Sequence, residues 1–99
     1  MDTQEALALA RDYVYRVKQI LDYDSAYLFG SYAAGHQDQN SDVDIGIIVS
    51  ETDENYLDLM KNLYRIRREL DVRIEPHLYI QGHDPLDFAE CVVKSGIRL

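Results

Sequence analysis

LFGSYAAGHQDQNSDVDIGIIV, running from Leu28 to Val49, is the stretch that decides how this chain is read. Gly30-Ser31 closes one apolar run, and after ten residues Asp42-Val43-Asp44 opens the next. Two readings fit: ordinary turn residues before a strand with an acidic end, or a loop that grips phosphate beside a pair of metal-binding carboxylates. SAYLF (Ser25 to Phe29) is a short apolar run stopped by Gly30, and VDIGIIV (Val43 to Val49) is rich in β-branched residues, so both read as buried strands. The Gly-, Gln-, Asn-, Asp- and Ser-rich segment Tyr32 to Ser41 reads as a loop, with one helical turn at Tyr32 to Ala34.

Helical periodicity flanks this unit. Residues 2–22 carry Ala6, Ala10, Tyr13, Val14, Val17, Ile20 and Leu21 at spacings of three and four, with Asp2 and Glu5 as a capping box. A second helix is expected over Asp53 to Leu70, with Tyr56, Leu59, Met60, Leu63, Ile66 and Leu70 on its apolar stripe and Thr52 or Asp53 as cap. VRIEPHLYI (Val72 to Ile80) follows as a strand, and Pro76, which cannot donate to a ladder, places it at an edge or a bulge. A last helix opens with Asp84 as cap and Pro85 in its first turn, carries Leu86, Ala89, Cys91, Val92 and Val93 as apolar positions, and stops at Gly96. Helix, strand, strand, helix, strand, helix is the order of an α/β sandwich, one sheet with helices packed on it.

The chain has 99 residues, the size of one domain, and 46% hydrophobic with 28% charged residues is the balance of a folding globular chain. No apolar run approaches the roughly 18 residues of a membrane span. The acidic amino terminus lacks the features of a signal peptide, so the cytoplasm is the expected location. Cys91 is the one cysteine; no disulfide framework is possible, and its place in a helical pattern predicts a buried thiol. A net charge of −8, from 18 acidic and 10 basic residues, repels phosphate backbones and argues against a stably held nucleic acid. It suits a basic protein partner or a cation-dependent site.

Strand alternation puts Val43, Ile45, Ile47 and Val49 on one face and Asp42, Asp44 and Gly46 on the other. The two aspartate Cα atoms then stand about 6 to 7 Å apart, close enough for both carboxylates to share an ion. Magnesium is commonly held by one or two carboxylates together with substrate phosphates. A capping Asp42 and a solvated Asp44 remain the plain alternative. Glycine after a strand permits close backbone approach, and backbone amides with a hydroxyl can grip phosphate, although no Gly-Lys-Ser/Thr follows to make a Walker-type loop. On VRIEPH, Arg73, Glu75 and His77 share a face; if this strand lies beside the Asp42 strand, Glu75 completes a carboxylate triad able to accept a proton from an attacking hydroxyl. Arg73 can offset phosphate charge or pair with Glu75, and pairing is favoured. His36 and His83 read as solvated loop residues. The tyrosines read mainly as packing residues, and YRIRREL (Tyr64 to Leu70) reads as a salt-bridged solvated face that can also dock an acidic patch on a partner.

Gly-Ser, ten residues, then Asp-x-Asp, with strands on both sides and an acid on a later strand, resembles the signature of the DNA polymerase β-like nucleotidyltransferase superfamily. The closest resemblance is to its minimal nucleotidyltransferases, and it covers nearly the whole chain, to a terminal helix and short last strand in KSGIRL. The resemblance implies an α/β (α+β) fold, a small mixed sheet flanked by helices, over residues 1–99 as a single domain. It also implies a magnesium-dependent nucleotidyltransferase with two metal ions and ATP as substrate. Gly30 and Ser31 would bind the triphosphate, with Arg73 a further nucleotide-binding candidate. Asp42 and Asp44 would hold the metals, and Glu75 would be the third catalytic acid and metal ligand. Many members carry Asp at the position of Glu75, and Pro76 directly follows it. Minimal nucleotidyltransferases of this kind resemble antitoxins paired with HEPN-type ribonuclease toxins, which implies AMP transfer to a tyrosine of such a partner. A non-catalytic antitoxin that neutralises by binding, or a catalytic subunit that modifies a small molecule in a pocket completed by a homo- or hetero-oligomer, are the alternatives.

Overall fold

The computed structural model describes residues 1–38, 40–50, 54–84 and 87–99. Its elements are α1 (Thr3–Lys18), β1 (Ser25–Phe29), α2 (Ser31–Ala34), β2 (Val43–Val49), α3 (Tyr56–Leu70), β3 (Ile74–Ile80), α4 (Phe88–Ser95) and β4 (Ile97–Arg98). The four strands form one mixed sheet in the order β3-β2-β1-β4. β1 runs antiparallel to β2 and β4, whereas β2 and β3 are parallel, joined through α3.

One face of the sheet makes the main core. Val43, Ile45, Ile47 and Val49 of β2, Ala26 and Leu28 of β1, and Ile74 and Leu78 of β3 pack against Ala6, Ala10, Tyr13, Val14 and Val17 of α1 and Leu59, Leu63 and Ile66 of α3. Each fully buried Val, Leu or Ile contributes about 1.5 to 3 kcal/mol, so this layer anchors the strands that present the opposite face. Tyr13 crosses between the two helices, its hydroxyl donating to the Leu63 carbonyl at 2.8 Å. The opposite face is thinner, with Val92 of α4 packed on Tyr27 and Ile48.

Several boundaries differ from the sequence pattern, each for a local reason. Asp2 caps α1 through the Glu5 amide, as expected, but the helix ends at Lys18, and Ile20 is exposed beyond the Gln19 cap. α3 starts at Tyr56 because the Asn55 side chain accepts from the Leu57 and Asp58 amides; Thr52 and Asp53, the expected caps, lie outside the described residues. β3 begins at Ile74, two residues later than the pattern suggested, since Val72 and Arg73 form a turn in which the Arg73 amide donates to Asp71 Oδ1. Pro76 sits in β3, the outer strand, where a missing N–H need not cost a ladder bond. α4 starts at Phe88, with Asp84 accepting from the Phe88 and Ala89 amides at 3.0 and 2.8 Å. Pro85 and Leu86 lie outside the described residues. Cys91 is exposed and not buried, because α4 covers the sheet with Val92 alone of its fully buried positions. Among the described residues no helix is long and apolar enough to cross a membrane.

Candidate active site

The thinner face carries the candidate residues. In register across it, Asp44 of β2 stands between Phe29 of β1 and Glu75 of β3, and one step along, Gly46 stands between Tyr27 and His77. α4 covers the Gly46 end: a Cβ on Gly46 would stand 2.9 Å from Val92 Cγ1. The Asp44 end stays partly open, with the Asp44 and His77 side chains 25% and 35% exposed.

Asp44 lies under the start of α2. Gly30, at φ 74° and ψ −147°, turns the chain from β1 into that short helix, and Asp44 Oδ2 occupies the space a Gly30 Cβ would need. The approach therefore exists only because residue 30 has no side chain. Tyr32, buried, anchors the turn, and Gly35 closes it in the left-handed conformation at φ 78°. The other Asp44 oxygen, Oδ1, stands 3.2 Å from His77 Nε2, and the His77 ring meets Phe29 edge-on at 5.0 Å. Asp42 is exposed at the entry to β2, where the neighbouring Val43 amide donates to the Arg73 carbonyl at 2.8 Å. The loop before it is tightened by Asp38, whose carboxylate accepts from the Asn40 amide and whose amide donates to Ser41 Oγ.

Glu75 is beside Asp44 in the backbone register, but its Oε1 accepts a hydrogen bond from the Tyr64 hydroxyl of α3 at 3.0 Å. Partial burial and the adjacent carboxylate push the Tyr64 phenol above its ordinary pKa. Arg73 does not pair with Glu75. Its guanidinium grips Asp71 through Nε and Nη2 at 3.0 and 2.7 Å, which holds the Asp71 carboxyl below its usual range.

Among the described residues no group of three His, Cys, Asp or Glu side chains is arranged to hold a metal ion. The donor set still suits a hard divalent cation. Asp42 and Asp44 offer carboxylate oxygens at the open end of the face, and Asp44 Oδ2 lies against Gly30 at the start of α2. His77 is the residue that sequence reasoning left aside. Its signal was position alone, two residues after Glu75 and so on the same face. A separate cavity of about 390 Å³ lies farther along this face, with Ile48, Tyr79, Gln81, Asp84 and Ala89 among its lining residues.

Comparison with known proteins follows this geometry. The family described as "Polymerase beta, Nucleotidyltransferase" matches residues 15–99. The fold is similar to a candidate nucleotidyltransferase from Sulfolobus solfataricus, with TM-score 0.72 and 22% identity over 97% of this chain and 80% of that one. It is also similar to a toxin–antitoxin structure with AMP-PNP, with TM-score 0.58 and 26% identity over 99% of this chain and 72% of that one. A mutant of the toxin–antitoxin MntA-HpeT gives TM-score 0.56 and 24% identity over 99% of this chain and 72% of that one. No curated protein matches.

Proposed function

From the chain's membership of the polymerase β nucleotidyltransferase family, we propose that it is a magnesium-dependent nucleotidyltransferase of the cytoplasm, transferring AMP from ATP to a tyrosine hydroxyl of a HEPN-type toxin as its antitoxin. The observation that carries this reading is the packing of Asp44 Oδ2 into the space left by Gly30, which brings a metal-binding carboxylate against the loop expected to hold phosphate. The likeness to a toxin–antitoxin structure with AMP-PNP supports the choice of nucleotide and partner.

In this reading Gly30 and Ser31 bind the triphosphate: the backbone amides of this turn and the Ser31 hydroxyl donate to phosphate oxygens, beside the Asp44 carboxylate that fills the space over Gly30. Asp42, Asp44 and Glu75 would hold two magnesium ions, which would supply positive charge against the phosphates. His77, 3.2 Å from Asp44 Oδ1, fixes the orientation of that carboxylate and leaves Oδ2 against Gly30. Glu75 accepts the proton of the acceptor hydroxyl, whose oxygen bonds to the α-phosphorus as the bond to the β-phosphate oxygen breaks and pyrophosphate leaves. Tyr64 must release Glu75 for this step. Arg73, whose Nε–Nη2 edge is engaged by Asp71, is assigned no phosphate in this scheme.

One observation favours a second reading, an antitoxin that neutralises by binding alone: the third acid is turned to Tyr64, and the three carboxylates do not converge. Intact mass of the encoded neighbouring protein after incubation with ATP and magnesium separates the two, with Asp44→Asn as the control. A gain of one or more AMP units with the native chain only is the expected result. No gain with either chain, while both bind the partner, would leave the binding reading.

A further inference from the structure

α3 reaches the candidate site through Tyr64. The helix packs on the opposite face of the sheet, but β3 is the outer strand, so no further strand bars the way around its edge. There the Tyr64 hydroxyl donates to Glu75 Oε1 at 3.0 Å. Of the eight tyrosines in the chain, it is the one whose hydroxyl meets Asp42, Asp44 or Glu75 among the described residues. Tyr13 donates instead to the Leu63 carbonyl. Arg67, one turn-neighbour along α3, donates twice to the Val72 carbonyl and pairs with no carboxylate among the described residues, contrary to the salt-bridged face expected for this helix. Its guanidinium stands over the Tyr64 ring, 5.2 Å from the centroid.

The bond from Tyr64 to Glu75 is the one the proposed reaction asks of an acceptor: a tyrosine hydroxyl whose proton points at the carboxylate that takes it. Glu75 and Asp44 are register partners on parallel strands, about 5 Å apart at the backbone. The hydroxyl therefore stands one side chain away from the strand whose Asp44 lies against the Gly30 turn. Neither Tyr64 nor Glu75 is fully buried, which leaves both room to turn toward Asp44 together. From this we propose that Tyr64 is itself an acceptor, so that without a partner the chain transfers AMP from ATP to its own Tyr64 hydroxyl. The phenol oxygen bonds to the α-phosphorus and its proton passes to Glu75. The bond from the α-phosphorus to the β-phosphate oxygen breaks, and pyrophosphate leaves with that electron pair. The phosphodiester so formed is an anion, and the Arg67 guanidinium beside the ring offsets its charge. The inference rests on the proposed transfer reaction and goes beyond it by naming an acceptor within this chain.

The test incubates the native chain alone with ATP and magnesium and reads its own intact mass, with fragment spectra to place any gain. An AMP unit already present at the start is mapped in the same way. The expected result is a single AMP unit on Tyr64, with a half-time unchanged over an about tenfold range of chain concentration, as for a step within one molecule. Glu75→Gln should slow the gain about 100-fold or more, the share of a general base. Tyr15→Phe, which removes a tyrosine 70% exposed on α1, should change nothing. Tyr64→Phe should lose the gain and still transfer AMP to the encoded neighbouring protein, which separates loss of the acceptor from loss of the site; circular dichroism checks its fold. The mapping on the native chain needs no variant and stands if this one unfolds. An AMP unit on another residue, a rate that rises with chain concentration, or a neighbouring protein that gains AMP while the chain gains none would overturn the inference alone. No gain on either protein would remove the transfer reading and the inference with it.

Discussion

Replacing Gly30 with alanine strikes the point where fold and site meet. At φ 74° and ψ −147° the backbone lies at the border of a region that glycine alone occupies freely. Holding another residue there costs about 1 to 3 kcal/mol. The new Cβ also collides with Asp44 Oδ2 and sits 3.2 Å from its Cγ, so the carboxylate must rotate away. That rotation breaks the 3.2 Å contact with His77 Nε2 and moves the proposed metal donor. For a domain of this size about 1 kcal/mol lowers the melting midpoint by roughly 4 to 8 °C, so Gly30→Ala is expected to melt about 5 to 20 °C lower.

Gly35→Ala supplies the contrast. Gly35 also has positive φ, 78°, but nothing lies within 4 Å of an added Cβ. It should therefore lose stability through the left-handed backbone, by about 1 to 2 kcal/mol, and leave Asp44 untouched. The assay pairs thermal unfolding by circular dichroism with calorimetric binding of a non-hydrolysable ATP analogue and magnesium. Gly30→Ala should weaken nucleotide binding about tenfold, a loss of roughly 1.4 kcal/mol, while Gly35→Ala binds as the native chain. A Gly30→Ala protein melting within about 2 °C of native, against the range expected above, or two variants with the same nucleotide affinity, would refute the reasoning.

Two further outcomes concern the packing around the site. Gly46→Ala places a Cβ 2.9 Å from Val92 Cγ1 and 3.5 Å from the Phe29 and Tyr79 rings, so it should destabilise by about 1 to 3 kcal/mol through overpacking. Adding Val92→Ala should cost less than the sum of the two single changes, and additive urea midpoints would show that α4 does not bear on Gly46. Burial holds the Tyr13 phenol well above its ordinary value of 10.0. Above that pH the unfolded chain gives up a proton that the folded chain keeps, so stability falls by about 1.4 kcal/mol per pH unit from this group alone. Tyr64 and Tyr79, also raised, add to the fall. Tyr13→Phe should cost about 1 kcal/mol at neutral pH and make the alkaline loss shallower; parallel urea midpoint curves for the two proteins through this alkaline range would refute it.

What could be read in advance followed from period. Alternation in VDIGIIV depends only on the pleat, so the core face of β2 and the placement of Asp44 opposite it were legible from one strand. The same rule put Glu75 and His77 on one face of β3, and parallel pairing with β2 then sets Glu75 beside Asp44. Side-chain partners were not legible, because they depend on neighbours that no local pattern names. Arg73 turned to Asp71 because the chain bends sharply at Val72 and Arg73, immediately before β3 begins at Ile74. Tyr64 reached Glu75 because Leu63 and Ile66, its neighbours on α3, are buried against the sheet and fix the helix beside the outer strand. The contact that helps seat α3 on β3 is thus the one the proposed chemistry must break. A hydrogen bond to a charged group contributes about 1.5 to 3 kcal/mol, so an acceptor hydroxyl that replaces Tyr64 at Glu75 regains most of what its displacement costs.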